Sequence, residues 1–255
     1  MLRNLKTIFL MKYRINILML SLSSKQMTHS KKTATKYYLT HGVANPEPEK
    51  ILKILQDGYL YANRHTGQYG LFYGETLDHV YLSLLGDENV SFAPNGVNFI
   101  FDTSILYKKK FRYAFNWIGN DIEKSIKVNP KYDNVDQILD IINQHIVNID
   151  PSSTARKLTS HEILIKDKIN LHEYLVAMCC ISNLTTEIIN YIRTNYPKVI
   201  LIENPPNSAI ELTYLLKNNK IKHKYKKYKS KYLNLKKEIN KNQFIVKNFL
   251  PSNKL

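Results

Sequence analysis

The sequence predicts an α+β fold, and three observations carry that prediction. Short apolar strands and amphipathic helices alternate irregularly instead of in repeating strand–helix pairs. Residues 97–102, VNFIFD, form the clearest strand, whereas Val135, Ile138, Leu139, Ile142 and Ile146 recur at helical spacing and predict a helix over 133–148. No P-loop, GxGxxG or GxSxG pattern joins a strand to a helix, which argues against a doubly wound sheet.

Taken in order, the first strand is expected at 36–40, running into His41-Gly42. A helix follows over 46–57. Pro46 and Pro48 suit its first turn, and Glu47 and Glu49 complement its positive end. Ile51, Leu52, Ile54 and Leu55 give it an apolar face, and Asp57-Gly58 closes it. Tyr59-Leu60-Tyr61 reads as a short strand. Residues 63–76 read as a loop, with Gly67, Gly70 and Gly74 interleaved with Tyr69, Phe72 and Tyr73. The apolar run 80–85 fits strand or helix. A strand is expected at 111–117 and another at 161–165, and the type of 171–181 is left open by its pattern. A helix over 185–195, a strand over 199–202, a break at Pro205-Pro206 and a helix over 209–216 complete the domain.

The charge divides the chain into three. Residues 1–46 hold eight Lys/Arg and no acid; residues 217–255 hold thirteen Lys and one Glu. The whole-chain charge of +16, less the +20 of these two ends, leaves −4 for residues 47–216. We therefore expect a basic N-terminal extension over 1–35, an α+β domain over 36–216 and a Lys/Tyr-rich helical tail over 217–255. Basic ends attract phosphate backbones and anionic surfaces. The abundance of Lys, Asn, Ile and Tyr also fits an AT-rich coding sequence, so composition alone assigns no nucleic-acid specificity.

The ends carry further expectations. Arg3, Lys6, Lys12 and Arg14 precede an apolar run over 15–22, far below the roughly 20 residues that span a bilayer. No transmembrane anchor is expected. The segment reads as a disordered or peripheral extension. A weak signal peptide without a small-x-small site, an organelle presequence, or a stretch upstream of a start at Met27 stay open beside it. In the tail, Ile221, Tyr225, Tyr228, Tyr232, Leu235 and Ile239 follow 4-3-4-3-4 spacing. This stripe is expected to pack on the domain or to support weak self-association through 221–239. Its lysines and tyrosines equally suit phosphates and stacked bases. Cys179 and Cys180 are adjacent, a spacing that suits neither a disulfide framework nor a metal site. Free thiols in an intracellular reducing compartment follow. The scattered histidines form no HxxxH or HxH pair, so no metal is expected.

Two strings about 120 residues apart carry the chemistry: Tyr37-Tyr38-Leu39-Thr40-His41-Gly42 and Ser160-His161-Glu162-Ile163-Leu164-Ile165. Cleaving the nicotinamide–ribose bond of NAD needs an aromatic face for the ring and close backbone approach to its carboxamide. It also needs a carboxylate beside the ribose, where positive charge grows. Leu39-Thr40-His41-Gly42, the following helix and Ile54-Leu55-Gln56-Asp57-Gly58-Tyr59-Leu60 resemble the opening strand, helix and turn of the ADP-ribosyltransferase superfamily. Val80-Tyr81-Leu82-Ser83 resembles its pocket element, residues 97–102 and 111–117 its central strands, and 161–165 with Ile169-Asn170-Leu171 its glutamate strand. The resemblance covers roughly 36–182.

That resemblance implies a split, mixed or antiparallel sheet with flanking helices and NAD as substrate. It implies that Glu162 is catalytic, that His41 holds a ribose hydroxyl and that Gly42 pairs with the nicotinamide carboxamide. Tyr81 is the first choice for the stacking aromatic, with Tyr73 and Tyr69 behind it, and Ser83 is a secondary polar contact. The acceptor it implies is a nucleic acid, a protein or water. Ser160 stands where arginine-modifying members carry an acid or amide, so arginine modification is not expected. Val43 replaces the Thr or Ser that often follows the glycine. His161 and His172 are expected at the surface or lining the pocket. The tail is similar to low-complexity tails of large DNA viruses, which implies a host-cytoplasmic or virion protein. The contrasting expectation is a catalytically silent, nucleic-acid-associated structural protein.

Overall fold

The computed structural model describes residues 37–43, 47–66, 74–88, 96–116, 118, 121–149 and 161–249. Chain contacts group into two units, residues 1–35 and 36–255, and the described residues belong to the second. The expectations for the N-terminal extension lie outside the described residues.

Strands β1 (Tyr38–Val43), β3 (His79–Leu85), β4 (Val97–Asp102), β5 (Phe111–Ala114), β6 (Ile126–Val128), β7 (Glu162–Lys166), β9 (Leu175–Cys179) and β10 (Ile200–Ile202) build one sheet. Its order is β10-β9-β4-β1-β3-β7-β5-β6. Only β9 and β10 run parallel, and the other neighbours are antiparallel, so the sheet is mixed. A separate ribbon pairs β2 (Tyr59–Tyr61) with β8 (Lys168–Asn170). With its flanking helices this is the α+β class expected from the sequence.

Local chemistry explains the helices that flank the sheet. In α1 (Pro48–Asp57), proline occupies the first turn, where its missing N–H is no loss. Gly58 ends it at φ 72°, donating its N–H to Leu55 O. A four-residue helix, α2 (Asn63–Thr66), follows β2. Asn134 caps α3 (Val135–Val147) by accepting from the Gln137 N–H at 3.1 Å. After a single-turn helix, α4 (Leu171–Tyr174), Thr185 caps α5 (Thr186–Asn195) through the Ile188 N–H.

Two apolar layers sandwich the sheet. On one face Leu39, Leu84, Phe99, Phe101, Ile163 and Ile165 pack with Ile51 and Leu55 of α1, Leu139 and Ile142 of α3, and Ile188 and Ile192 of α5. On the other, Tyr38, Leu85, Ile100, Ala177 and Cys179 pack with Ala209 and Leu212 of the last helix, α6 (Ala209–Phe249). Burial on both faces is why β4 reads as a nearly unbroken apolar run.

Three expectations are refined. The run 80–85 is a strand because both its edges are paired, to β1 and to β7. Residues 171–181 divide into α4, β9 and a 3₁₀ turn. The two three-residue strands β6 and β8 were not expected, being too short and polar to show a period. For the tail, the structure bears on one of the two alternatives, packing on the domain. Ile221, Tyr225 and Tyr228 are 43%, 50% and 60% exposed, so the start of the stripe does not pack on the domain. The helix of 209–216 instead continues without a break to Phe249.

One turn ties both layers together. Gly86 O accepts from the Ala209 N–H at 2.7 Å. Asn143 of α3 accepts from the Asp87 N–H and donates to Asp87 Oδ2. A Cβ at Gly86 would overlap the Asn143 carboxamide. Gly86→Ala is expected to destabilise the protein by about 2–4 kcal/mol, combining overpacking with lost buried hydrogen bonds. Urea unfolding monitored by circular dichroism measures it.

Candidate active site

The central feature is a ladder that stops early. β1 and β3 pair only at Tyr38–Leu85, Leu39–Leu84 and Thr40–Ser83. Beyond Thr40, β1 keeps its other neighbour through His41–Phe99, Gly42–Asn98 and Val43–Val97. β3 meanwhile pairs with β7 from His79 to Leu82. The sheet therefore opens between β1 and β3 just where the His-Gly pair begins. Among the described residues, the β3-facing edge of β1 is unpaired in strand terms past Thr40.

Register and alternation decide which side chains share a face. Ser83 lies opposite Thr40, Tyr81 lies two residues away on the same face, and Leu164 lies opposite Tyr81. Glu162, two residues from Leu164, is on that face too, opposite Ala114 of β5. Gly42, two residues from Thr40, also shares it. Gly42, Tyr81, Ser83 and Glu162 thus come to one face of three neighbouring strands.

His41 does not share that face. Alternation sends it to the side of Leu39 and Phe99. Its ring turns into the opening, with Nδ1 2.8 Å from the Tyr81 carbonyl oxygen. A neutral imidazole protonated on Nδ1 donates this bond, which substitutes for the missing ladder. Burial lowers the His41 pKa, against the bond to Tyr81, and Lys50 lowers it further.

Glu162 occupies a pocket wall. Its Oε2 accepts from the Ile118 N–H at 2.8 Å. Ala114, Ile118 and Leu164 form a small apolar cluster against which Tyr81 packs. Burial there lifts the carboxyl to about 7, although the Ile118 bond opposes the shift. The Tyr81 hydroxyl donates to Thr76 O at 3.0 Å. Its pKa rises to about 12, through burial above all, with a contribution from the Glu162 charge.

His161, expected at the surface or pocket lining, is instead buried to 1% exposure. Its Nε2 accepts from the Leu84 N–H at 2.7 Å, extending the β3–β7 attachment by a side chain next to Glu162. Burial lowers its pKa to about 4, with His145 adding to the effect. His172, as expected, lines a pocket: it stacks on Tyr196 at 4.5 Å and borders a groove of about 830 Å³ beside α6. Tyr73, Tyr69, Ser160 and Trp117 lie outside the described residues. Among the described residues, no group of three or more His, Cys, Asp or Glu is placed to hold a metal ion.

The sequence reading passed over Thr40, Asn98 and the Ile118 amide. Thr40 is buried and donates to Ser83 O at 3.4 Å. Asn98 is fully buried and lies opposite Gly42. A lone amide inside VNFIFD was the available signal for Asn98. Nothing in the sequence points to a backbone N–H as a carboxylate partner.

The unfolded Glu162 carboxyl titrates near 4.5 and the folded one near 7. Between these values the folded protein binds more protons, so stability falls as pH rises through the window, with the full penalty above 7. Allowing for partial solvent screening, Glu162→Gln is expected to stabilise the protein by about 1–2 kcal/mol at pH 8 and by nearly nothing below pH 4.5. Thermal unfolding of both proteins at the two pH values checks this. Equal shifts at both would reject the buried-carboxyl reading.

Comparison with known proteins places the chain among relatives. A family described as "Family of unknown function (DUF5846)" matches residues 34–142. Uncharacterized protein L28 of Acanthamoeba polyphaga mimivirus is 43% identical over 105 residues, 40% of this chain and 98% of that protein. Among solved structures, Thermus sp. 2.9 DarT in complex with NAD+ is similar at 11% identity and a TM-score of 0.42, over 69% of this chain and 98% of that one. Uncharacterized protein L54 of the same mimivirus is 51% identical over 181 residues, covering 71% of this chain and 98% of that protein. The chain therefore belongs to the family of mimivirus protein L54, and its residues 34–142 are the part that the DUF5846 description matches.

Proposed function

We propose that this protein cleaves the nicotinamide–ribose bond of NAD and passes ADP-ribose to a macromolecular acceptor or to water. The observation that carries the reading is the shared face of Tyr81 and Glu162 beside the opening that follows Thr40. In this reading the nicotinamide ring lies on Tyr81. Gly42, exposed and without a Cβ, lets the main chain meet the carboxamide. His41, locked through Nδ1 to Tyr81, offers Nε2 to a ribose hydroxyl. Ser83 adds a polar contact one strand from Glu162.

The C1′–N bond breaks with its electron pair leaving on nicotinamide. Glu162 stabilises the positive charge that develops on the ribose. An acceptor oxygen or nitrogen then bonds to C1′, and Glu162 takes the acceptor's proton. Only the ionised carboxylate serves, so a group titrating near 7 makes the rate pH-dependent.

A separate feature supports a polyanionic partner. Tyr225 and Tyr228 are exposed on α6 and are followed by exposed Lys229, Lys231, Lys236 and Lys237. Lysines on phosphates with tyrosines on bases suit single-stranded nucleic acid. The same helix supports the alternative reading, a silent domain held on nucleic acid by its basic tail.

With labelled NAD, nicotinamide release is expected to rise with pH and level off above about 7. Glu162→Gln should lower it by about 100-fold or more, and equal release from both proteins would reject the catalytic assignment. Removal of residues 218–255 leaves Leu212, Leu215 and Leu216 in place. It is expected to abolish salt-sensitive binding to single-stranded DNA or RNA in a filter-binding assay, and unchanged affinity would reject the tail as the contact.

A further inference from the structure

Asn98 is the one buried side-chain polar group among the described residues whose oxygen has no hydrogen-bond partner. It is 0% exposed in the middle of the sheet, paired with Gly42 on β1 and Cys179 on β9. Direct cross-strand partners share a face, so Asn98 stands on the same face as Gly42, Tyr81 and Glu162. Its Nδ2 donates to the Sγ of Cys180 at 3.8 Å, which turns Oδ1 away from that sulfur.

The partner of that bond is itself held at a cost. Cys180 is in the left-handed region at φ 63°, a conformation that favours glycine. It is kept there by the Asn183 N–H on its carbonyl at 3.2 Å, and Asn183 Nδ2 ties the turn to Gly96 O, two residues before Asn98. Glycine at 180 would relieve the backbone but remove the sulfur that orients the amide. An orphan acceptor and a strained residue at one place form a small reservoir of unfavourable free energy. Such a reservoir is relieved when a ligand supplies the missing donor.

We propose that Asn98 is a specificity-determining residue whose Oδ1 accepts a hydrogen bond from the carboxamide N–H of a ligand lying against Gly42. The inference rests on the NAD reading above and names the part of the molecule that Asn98 selects: an amide-bearing ring, in preference to the corresponding carboxylic acid. A carboxylate there has no N–H to give and meets Oδ1 as a second acceptor. Asn98 touches the ring end of the ligand and takes no part in bond cleavage.

Titration calorimetry with NAD and with its nicotinic acid analogue tests this on the full chain. The wild-type protein is expected to bind NAD at least tenfold more tightly than the acid. Asn98→Leu, which keeps the branched shape and removes the acceptor, is expected to weaken NAD at least tenfold and to erase the preference. Asn98→Asp keeps an acceptor and is expected to retain NAD binding within a few-fold. It carries the test should Asn98→Leu fail to fold. A wild-type protein that binds NAD, with variants of unchanged affinity and unchanged preference, overturns the role of Asn98 alone. A wild-type protein that binds neither dinucleotide overturns the NAD reading, and this inference falls with it.

Discussion

The arrangement of the molecule depends on the incomplete pairing of β1 with β3. Three residue pairs join them; beyond Thr40 the His41 side chain spans the gap, and His161 adds a side-chain bond on the β7 edge of β3. His41 bridges from β1 to the Tyr81 carbonyl, and His161 takes the Leu84 N–H from the start of β7. His161 must be neutral to accept its bond, whereas His41 donates its own from Nδ1, and burial lowers the pKa of each. A sheet opened in its middle would otherwise expose unpaired backbone groups, which are unfavourable when buried. The opening is thus built into the sheet and braced by side chains, and every candidate site residue is positioned relative to it.

Placing Glu162 at this seam sets a conflict between stability and chemistry. The wall of Ala114, Ile118 and Leu164 keeps water from the carboxyl and lifts its pKa, while the Ile118 N–H holds the charged form in place. A carboxylate left partly desolvated is a poor choice for stability alone and a good one beside a developing positive charge. Asn98 and Cys180 repeat the pattern on the far side of Gly42, where an unsatisfied acceptor adjoins a strained backbone. Unfavourable local terms collect around one face of the sheet, while the opposite face is a conventional apolar core.

The last helix serves two environments along one rod. Its start contributes Ala209 and Leu212 to the core, and the Tyr38 hydroxyl meets Thr213 at 3.1 Å. Its continuation presents exposed tyrosines and lysines. Among the described residues no helix is long and apolar enough to cross a membrane.

Much of the secondary structure was legible because it rests on local chemistry. Asp57-Gly58 ends α1 through a left-handed glycine, VNFIFD is β4, and the helical period of Val135 to Ile146 is α3. The candidate residues Gly42, Tyr81 and Glu162 were also legible, through short motifs in the right order. What only the tertiary structure decided was their relation. Strand order and register brought Gly42, Tyr81, Ser83 and Glu162 to one face, turned His41 to the other and made His161 a buried brace. Those outcomes arise from pairing between residues 40 or more positions apart, and a one-residue change in register would reverse the faces while leaving every local pattern unchanged.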